Sequence, residues 1–405
     1  MTLSVLFRLA GVALASLLIW GCSSNDEVVP PSPTPQFKSQ IQIKKLWTSR
    51  IGEGVGEVYL SLKPAATERW VYAASLDGDV KKFDREKGKT IWKVSLDREI
   101  TGGVSAAYGM VGLGTANGEL LLLSEETGEI VLEKTLGGQV MSVPAITPEL
   151  VVVQTTDGRL HALNREDGAV VWLFDTSIPI LTLRGESDPV VSGGATLAGF
   201  ANGKLVAMDT NTGYVAWERQ VGESKGRSEL ERLVDLDGRF WVDGKVVYAA
   251  TYQGNIVAID IPSGRVLWKR PMSSYAGVTS YLGKVYVVDQ DSVLHAMDAI
   301  GGTDLWQQDR LKGRVISTPT AYDRYVLVGD FNGFLYWLSH SDGEFLARVK
   351  VGHNRYQYSN ARAGSLRRVT DPADGIRVEP VIYDDTVYIQ GNSGELAAYR
   401  VVTEQ

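Results

Sequence analysis

Apolar residues in this chain arrive in short runs of two kinds. A continuous apolar stretch such as VVYAA (Val246 to Ala250) is followed by a Gly-containing break and then by an apolar run ending in an acidic or amide residue, as in NIVAID (Asn255 to Asp260). Runs this short, bounded by turn residues, argue for buried strands rather than helices. A second break of the form Asp-x-x-x-Gly follows, as from Asp209 to Gly213, and leads into a strand carrying a Trp, here Trp217. Gly supplies the positive φ that tight hairpin turns need, and Asp or Asn can bond its own backbone to start the turn. A further short strand precedes each set, as in STPTAYDRYVLVGD (Ser317 to Asp330), which makes four antiparallel strands per unit.

The unit recurs eight times, most cleanly in DGDVKKFDREKGKTIW (Asp77 to Trp92), DGRLHALNREDGAVVW (Asp157 to Trp172), NGKLVAMDTNTGYVAW (Asn202 to Trp217) and QGNIVAIDIPSGRVLW (Gln253 to Trp268). The second Gly follows the first by ten positions, and the Trp lies four further on, with Leu132 and Ala347 in its place in the second and seventh copies. Self-similarity at a period of roughly 40 to 50 residues marks a propeller or solenoid. Four strands per repeat make the expected fold all-β: an eight-bladed β-propeller of four-stranded antiparallel blades. The eighth copy stops after ELAAYR, before its Trp strand, whereas IQIKKLWTSR near the other end carries Trp47. The expectation is a ring closed by the N-terminal strand around Trp47. Each Trp is large enough to seal the gap between neighbouring blades.

Composition narrows the function. A net charge of −7 and a pI near 5.3 argue against a nucleic-acid partner. One Cys and four His leave no Cys pair, and His161, His295, His340 and His353 lack ligand-like spacing, so no metal site is expected. Asp84, Asp209, Asp260 and Asp298 recur at one repeat position, which marks turns rather than a catalytic centre. No Ser/His/Asp, HExxH or phosphate-loop signature appears. The N-terminus has one Arg (Arg8), an apolar run from Leu9 to Trp20 and then Gly21-Cys22, the layout of a secretory signal. Ile19-Trp20-Gly21-Cys22 resembles a bacterial lipobox with Cys22 as the lipidated residue; an ordinary signal with a coincidental Cys is the alternative. Ser23 rather than Asp follows, which in lipoprotein sorting points to the outer membrane. NDEVVPPSPTPQ then reads as an extended, unpacked tether. The expected organisation is a signal peptide over 1–21, a lipidated Cys and flexible tether over 22–40, and a propeller over 41–405.

Repeat spacing marks a surface. From each Trp position to the next repeat Gly the first two intervals are 26 residues (92 to 118, 132 to 158), but they lengthen to 31 after Trp172, 37 after Trp217 and 47 after Ala347. These insertions lie between the outer strand of one blade and the inner strand of the next, connections that all emerge on one face. Loops lengthened on one face of a repeat protein commonly build its binding surface. The first two insertions are expected to be neighbours in space. Leu181, Leu183 and Arg184 lie in the first, Asp235 and Asp237 in the second. They suit an apolar anchor with a charged rim, or short extended segments for strand pairing. The alternative is that the Leu residues pack under their own loop and the Asp pair caps turns. The third insertion, His353 to Pro380, carries Arg355, Arg362, Arg367, Arg368, Tyr356 and Tyr358. It suits a solvated loop, or contacts to an acidic partner or lipid headgroups.

The repeat resembles the pyrroloquinoline-quinone-type propeller repeat. With PILTLRGES (Pro179 to Ser187), ERLVDLD (Glu231 to Asp237), VVYAATYQGNIVAIDIPSGRVLWKR (Val246 to Arg270) and VYVVDQ (Val285 to Gln290), nearly everything after residue 40 resembles the BamB family, propeller lipoproteins of the outer-membrane β-barrel assembly (BAM) machinery. The resemblance implies a non-catalytic scaffold without cofactor, anchored in the outer membrane on its periplasmic face. It implies binding to the POTRA domains of BamA through Leu181, Leu183, Arg184, Asp235 and Asp237, with unfolded barrel clients as further partners. The competing readings are a quinone-dependent dehydrogenase, which would need Ca²⁺-type ligands and a catalytic Asp at the propeller axis, and another periplasmic binding propeller.

Overall fold

The computed structural model describes residues 30–56, 60, 62–183, 187–223, 227–228, 230–236, 238–352 and 375–402. Among them, every regular element is a strand, and the strands form eight four-stranded antiparallel sheets arranged as the blades of a propeller. Blade 1 illustrates the order from inside to outside: Ala65–Ala66, Trp70–Ala74, Asp79–Asp84 and Thr90–Ser95. Blades 1 to 7 each use four consecutive strands. In blade 8 the outer strand is Gln42–Arg50, which pairs antiparallel with Glu395–Val402, Lys44 opposite Arg400 and Thr48 opposite Ala397. Ring closure by the strand around Trp47 is therefore realised.

Burial follows the pattern read from the sequence. Middle strands such as Leu150–Thr155 are buried along their whole length, whereas the outer strand Val170–Asp175 buries Trp172 and exposes its neighbours. The core is divided among the contacts between blades. One cluster joins Leu197, Leu205 and Trp217 of blade 4 to Val247, Val257 and Ile259 of blade 5.

The Trp and the second Gly of the repeat work as a pair. Each Trp lies over the Gly turn of the following blade, where a Cβ built on Gly88, Gly213, Gly264 or Gly302 would fall 2.5–2.7 Å from the ring of Trp47, Trp172, Trp217 or Trp268. These glycines also adopt φ between 64° and 71°. Positive φ and close approach both select Gly here. The indole N–H then donates to that turn: Trp47 to the Arg85 carbonyl, Trp172 to Thr210, Trp217 to Ile261 and Trp268 to Ala299. The turn-forming acids act as expected, the Asp209 carboxylate accepting from the Asn211 and Thr212 amides.

One expectation fails. Residues Ser32–Gln40 do not stand off as an unpacked tether but lie along blade 7. The Ser32 amide donates to the Lys312 carbonyl and the Gln40 amide to the Leu346 carbonyl. Arg310 and Arg348 donate to the carbonyls of Gln36 and Pro35, and Phe37 stacks on Phe345 at 5.0 Å. Composition suggests a solvated segment; the partners that order it, on the outer strand of blade 7 and in the turn before that blade, lie about three hundred residues away.

Candidate functional site: a two-loop surface over an axial charge cluster

The first insertion runs from Thr176 to Pro189, between the outer strand of blade 3 and the inner strand of blade 4 (Val190–Ser192). The second connects Val215–Gln220 of blade 4 to Trp241–Asp243 of blade 5. They meet, as their adjacent places in the ring require: the Leu183 amide donates to the Asp235 carboxylate at 2.6 Å. Asp235 is not a rim residue. It is 1% exposed, because its neighbours Leu233, Val234 and Leu236 turn into the core and carry it inward. It clasps one loop to the other. Leu181 is exposed and Leu183 half-buried. Ile180 and Leu230 are also exposed and flank the clasp in sequence, and the Leu230 carbonyl accepts from Gln253. Both were legible in PILTL and SELERL as apolar residues inside insertions, but neither stands out from sequence alone. Arg184, Asp237, Cys22 and His353 to Asp374 lie outside the described residues.

The clasp makes a local prediction. In Asp235→Ala the Leu183 amide is expected to exchange with solvent at least about tenfold faster, while blade amides keep their protection, because only the loop loses its acceptor. Unchanged exchange at Leu183 would mean that the loops are held by other contacts.

All three insertions end on one charged cluster. Asp188 closes the first, Arg239 the second and Glu379 the third, each just before the innermost strand of its blade. Lys63, just before blade 1, receives them: its Nζ lies 2.6 Å from Asp188 Oδ2 and 2.9 Å from Glu379 Oε1, and Arg239 Nη1 is 2.9 Å from that same Glu379 oxygen. Blades 1, 4, 5 and 8 can meet this way only across the ring axis. The Asp188 carboxylate also accepts the Val143 amide of the loop entering blade 3, and Arg239 stacks over Trp241. A cavity of about 260 Å³ lies beside the cluster, lined by Lys63, Asp188, Arg239 and the segments 143–145 and 189–191. Burial alone would raise the Glu379 carboxyl, but the charges of Lys63 and Arg239 outweigh it and bring it down to about 2. Burial alone would lower the Lys63 ammonium; Asp188 and Glu379 instead raise it. Among the described residues no group of three or more His, Cys, Asp or Glu is placed to hold a metal ion.

Comparison with known proteins gives the relationship. A family profile described as "Outer membrane protein assembly factor BamB" matches residues 76–308 and 278–405. The chain belongs to the BamB family. A BamB of Pseudomonas aeruginosa is 37% identical over 398 residues, covering 98% of this chain and all of the relative, and one of Escherichia coli is 33% identical over 394 residues, covering 94% and 95%. The crystal structure of BamB from Moraxella catarrhalis superposes with a TM-score of 0.77 at 25% identity, covering 89% of this chain and all of that one. A quinohemoprotein alcohol dehydrogenase from Comamonas testosteroni shares the fold alone, with a TM-score of 0.66 at 12% identity, over 88% of this chain and 76% of that one. In this BamB-family chain Lys63, Asp188, Arg239 and Glu379 neutralise one another at the axis.

Proposed function

We propose that this chain is a non-catalytic scaffold of the machinery that assembles β-barrel proteins in the outer membrane, where its relatives are named assembly factors. It is held there on the periplasmic face by a lipid on Cys22, and it docks on the POTRA domains of BamA through Leu181, Leu183, Arg184 and Asp237, while the buried Asp235 holds the two loops together beneath them. The observation that carries the docking reading is the Leu183–Asp235 bond, which joins two insertions into one surface with Ile180, Leu181 and Leu230 exposed on it. Apolar anchors set among charges are how protein interfaces concentrate energy. Lipidation in the same membrane as the partner raises effective concentration, so modest affinity suffices.

The test is recovery of BamA from detergent-solubilised envelope by the tagged, lipidated protein. Wild type is expected to recover BamA, and Leu183→Ala/Arg184→Glu to lose it while keeping the wild-type melting temperature, since both positions fall in an insertion between repeats and not in the repeat itself. BamA retained by the folded variant moves the docking surface elsewhere. No BamA with wild type removes the assembly reading and favours another binding role.

A further inference from the structure

Blade 5 departs from the repeat at the turn that meets the second insertion. Between the two middle strands of a blade the chain turns through the repeat's first Gly, which carries φ between 73° and 91° in blades 1, 2, 3, 4, 7 and 8. Blade 6 has Ser292 at that place, with φ +67°. In blade 5 Gly254 is not left-handed, and the preceding Gln253 takes φ +48° instead. A left-handed backbone is uncommon and strained for a residue with a side chain. The displaced turn bonds the second insertion at three points. The Tyr252 amide donates to the Asp235 carbonyl at 2.9 Å, the Asn255 side chain to the Val221 carbonyl at 2.8 Å, and the Gln253 side chain to the Leu230 carbonyl at 3.2 Å. Gln253 is itself fixed by its backbone amide, which donates to the Ser273 hydroxyl at 2.8 Å.

What this turn holds is an exposed apolar side chain. Leu230 is 64% exposed. Its own turn is closed locally as well: Ser228 Oγ accepts the Glu231 amide, and the Glu231 carboxylate accepts the Ser228 and Arg227 amides, the reciprocal pattern of a capping box. A lone exposed Leu is ordinary. An exposed Leu held by polar bonds from two elements, one of them across a strained backbone, points to a use for its position. Apolar side chains fixed before association bind more tightly, because less ordering remains to be done. Leu230 lies in the insertion that Asp235 clasps to Leu183, so it adds to the surface that carries Ile180 and Leu181. We propose that Gln253 is a positioning residue of this surface: it holds Leu230 as a preformed anchor for an apolar recess on the folded partner. This rests on the docking reading above.

The test separates binding from folding. Recovery of BamA from detergent-solubilised envelope is titrated against the tagged, lipidated protein. Gln253→Gly supplies the residue type that the backbone favours and deletes the side-chain amide. Its melting temperature is expected to equal or exceed that of wild type, while half-maximal recovery needs about fivefold more protein. Gln253→Asn, a second variant, tolerates the left-handed backbone but is one methylene too short to reach Leu230, and is expected to do the same. Leu230→Ala is expected to weaken recovery about tenfold, and Leu230→Ala/Gln253→Gly no further, because Gln253 acts through Leu230. Leu282→Gly, which relieves φ +47° in a hairpin at the other face of blade 6, is expected to leave recovery unchanged. Equal recovery by wild type and both Gln253 variants overturns the proposal. So does recovery lost together with a lowered melting temperature in both, which makes Gln253 part of the fold alone. A double variant weaker than Leu230→Ala overturns it too. The Leu233 amide also donates to the Leu230 carbonyl and reads the positioning without the partner: its exchange is expected to rise at least about threefold in Gln253→Gly. Unchanged exchange overturns the proposal. Raised exchange with no BamA recovered by wild type is the separate failure of the docking reading, and leaves Leu230 without this partner.

Discussion

Trp217→Ala is expected to destabilise the protein by about 3–5 kcal/mol, the cost of emptying a large buried aromatic site. Trp217 is buried between blades 4 and 5, against Leu197, Leu205 and Ile259. Its removal opens a cavity and also leaves the Ile261 carbonyl without the indole donor. The same geometry predicts a coupling. Gly264→Ala forces a Cβ to within 2.6 Å of the Trp217 ring and strains a backbone at φ +65°. In the Trp217→Ala background the clash with the ring is gone, and the strain and a tight 3.0 Å approach to the Cβ at position 217 remain, so Gly264→Ala is expected to cost less there than in wild type, by about 1 kcal/mol or more. Urea titration of the four proteins measures this. Additive effects would contradict the reading of Trp and Gly as one unit.

Lys63→Met is expected to cost somewhat less, about 2–3 kcal/mol, because it leaves its partners uncompensated in a cluster where Glu379 is 5% exposed but Lys63, Asp188 and Arg239 are only partly buried. Glu379 would retain Arg239, but among the described residues Asp188 would keep the Val143 amide and no cation. The cluster also predicts an acid limb. The Glu379 carboxyl is depressed from 4.5 to about 2, so its contribution is fully present above pH about 4.5 and is lost as pH falls toward 2. At about 1.4 kcal/mol per pH unit this amounts to about 3 kcal/mol. Lys63, raised from 10.5, contributes below that value and loses its contribution as pH climbs beyond it. The difference in stability between wild type and Glu379→Gln is therefore expected to shrink between pH 5 and pH 2. A difference constant over that range would mean that Glu379 is not held ionised by Lys63 and Arg239.

Much of this was legible in the residues alone, for reasons visible at particular positions. The Gly at 88, 213 and 264 and the Trp that follow them announce turns and strands because positive φ and strand alternation are local preferences. The lengthened intervals after Trp172 and Trp217 located the paired loops, because in a ring of equal units an extra residue has nowhere to go but a connection. Asp235 was read as surface charge and is buried. LVDLD carries enough apolar residues to be drawn into the core, and the carboxylate finds its donor, the Leu183 amide, on the other loop. Pro-rich Ser32–Gln40 was read as unpacked and is docked, since proline content says nothing about partners supplied by Arg310, Arg348 and Phe345.

The blade count, the strand order and the faces of the insertions were determined by the sequence itself, since each follows from energies that act within a turn or between consecutive strands; closure around Trp47 was legible because the eighth repeat lacks its outer strand and the N-terminal segment carries one. The axial cluster was decided by tertiary structure alone. Lys63 lies 125 residues from Asp188 and 316 from Glu379, and Arg239 lies 140 from Glu379. No local pattern marks these four residues. They meet because closing eight blades into a ring brings the inner ends of blades 1, 4, 5 and 8 to one point, where the low polarizability of the interior rewards opposite charges that find each other and penalises any that do not.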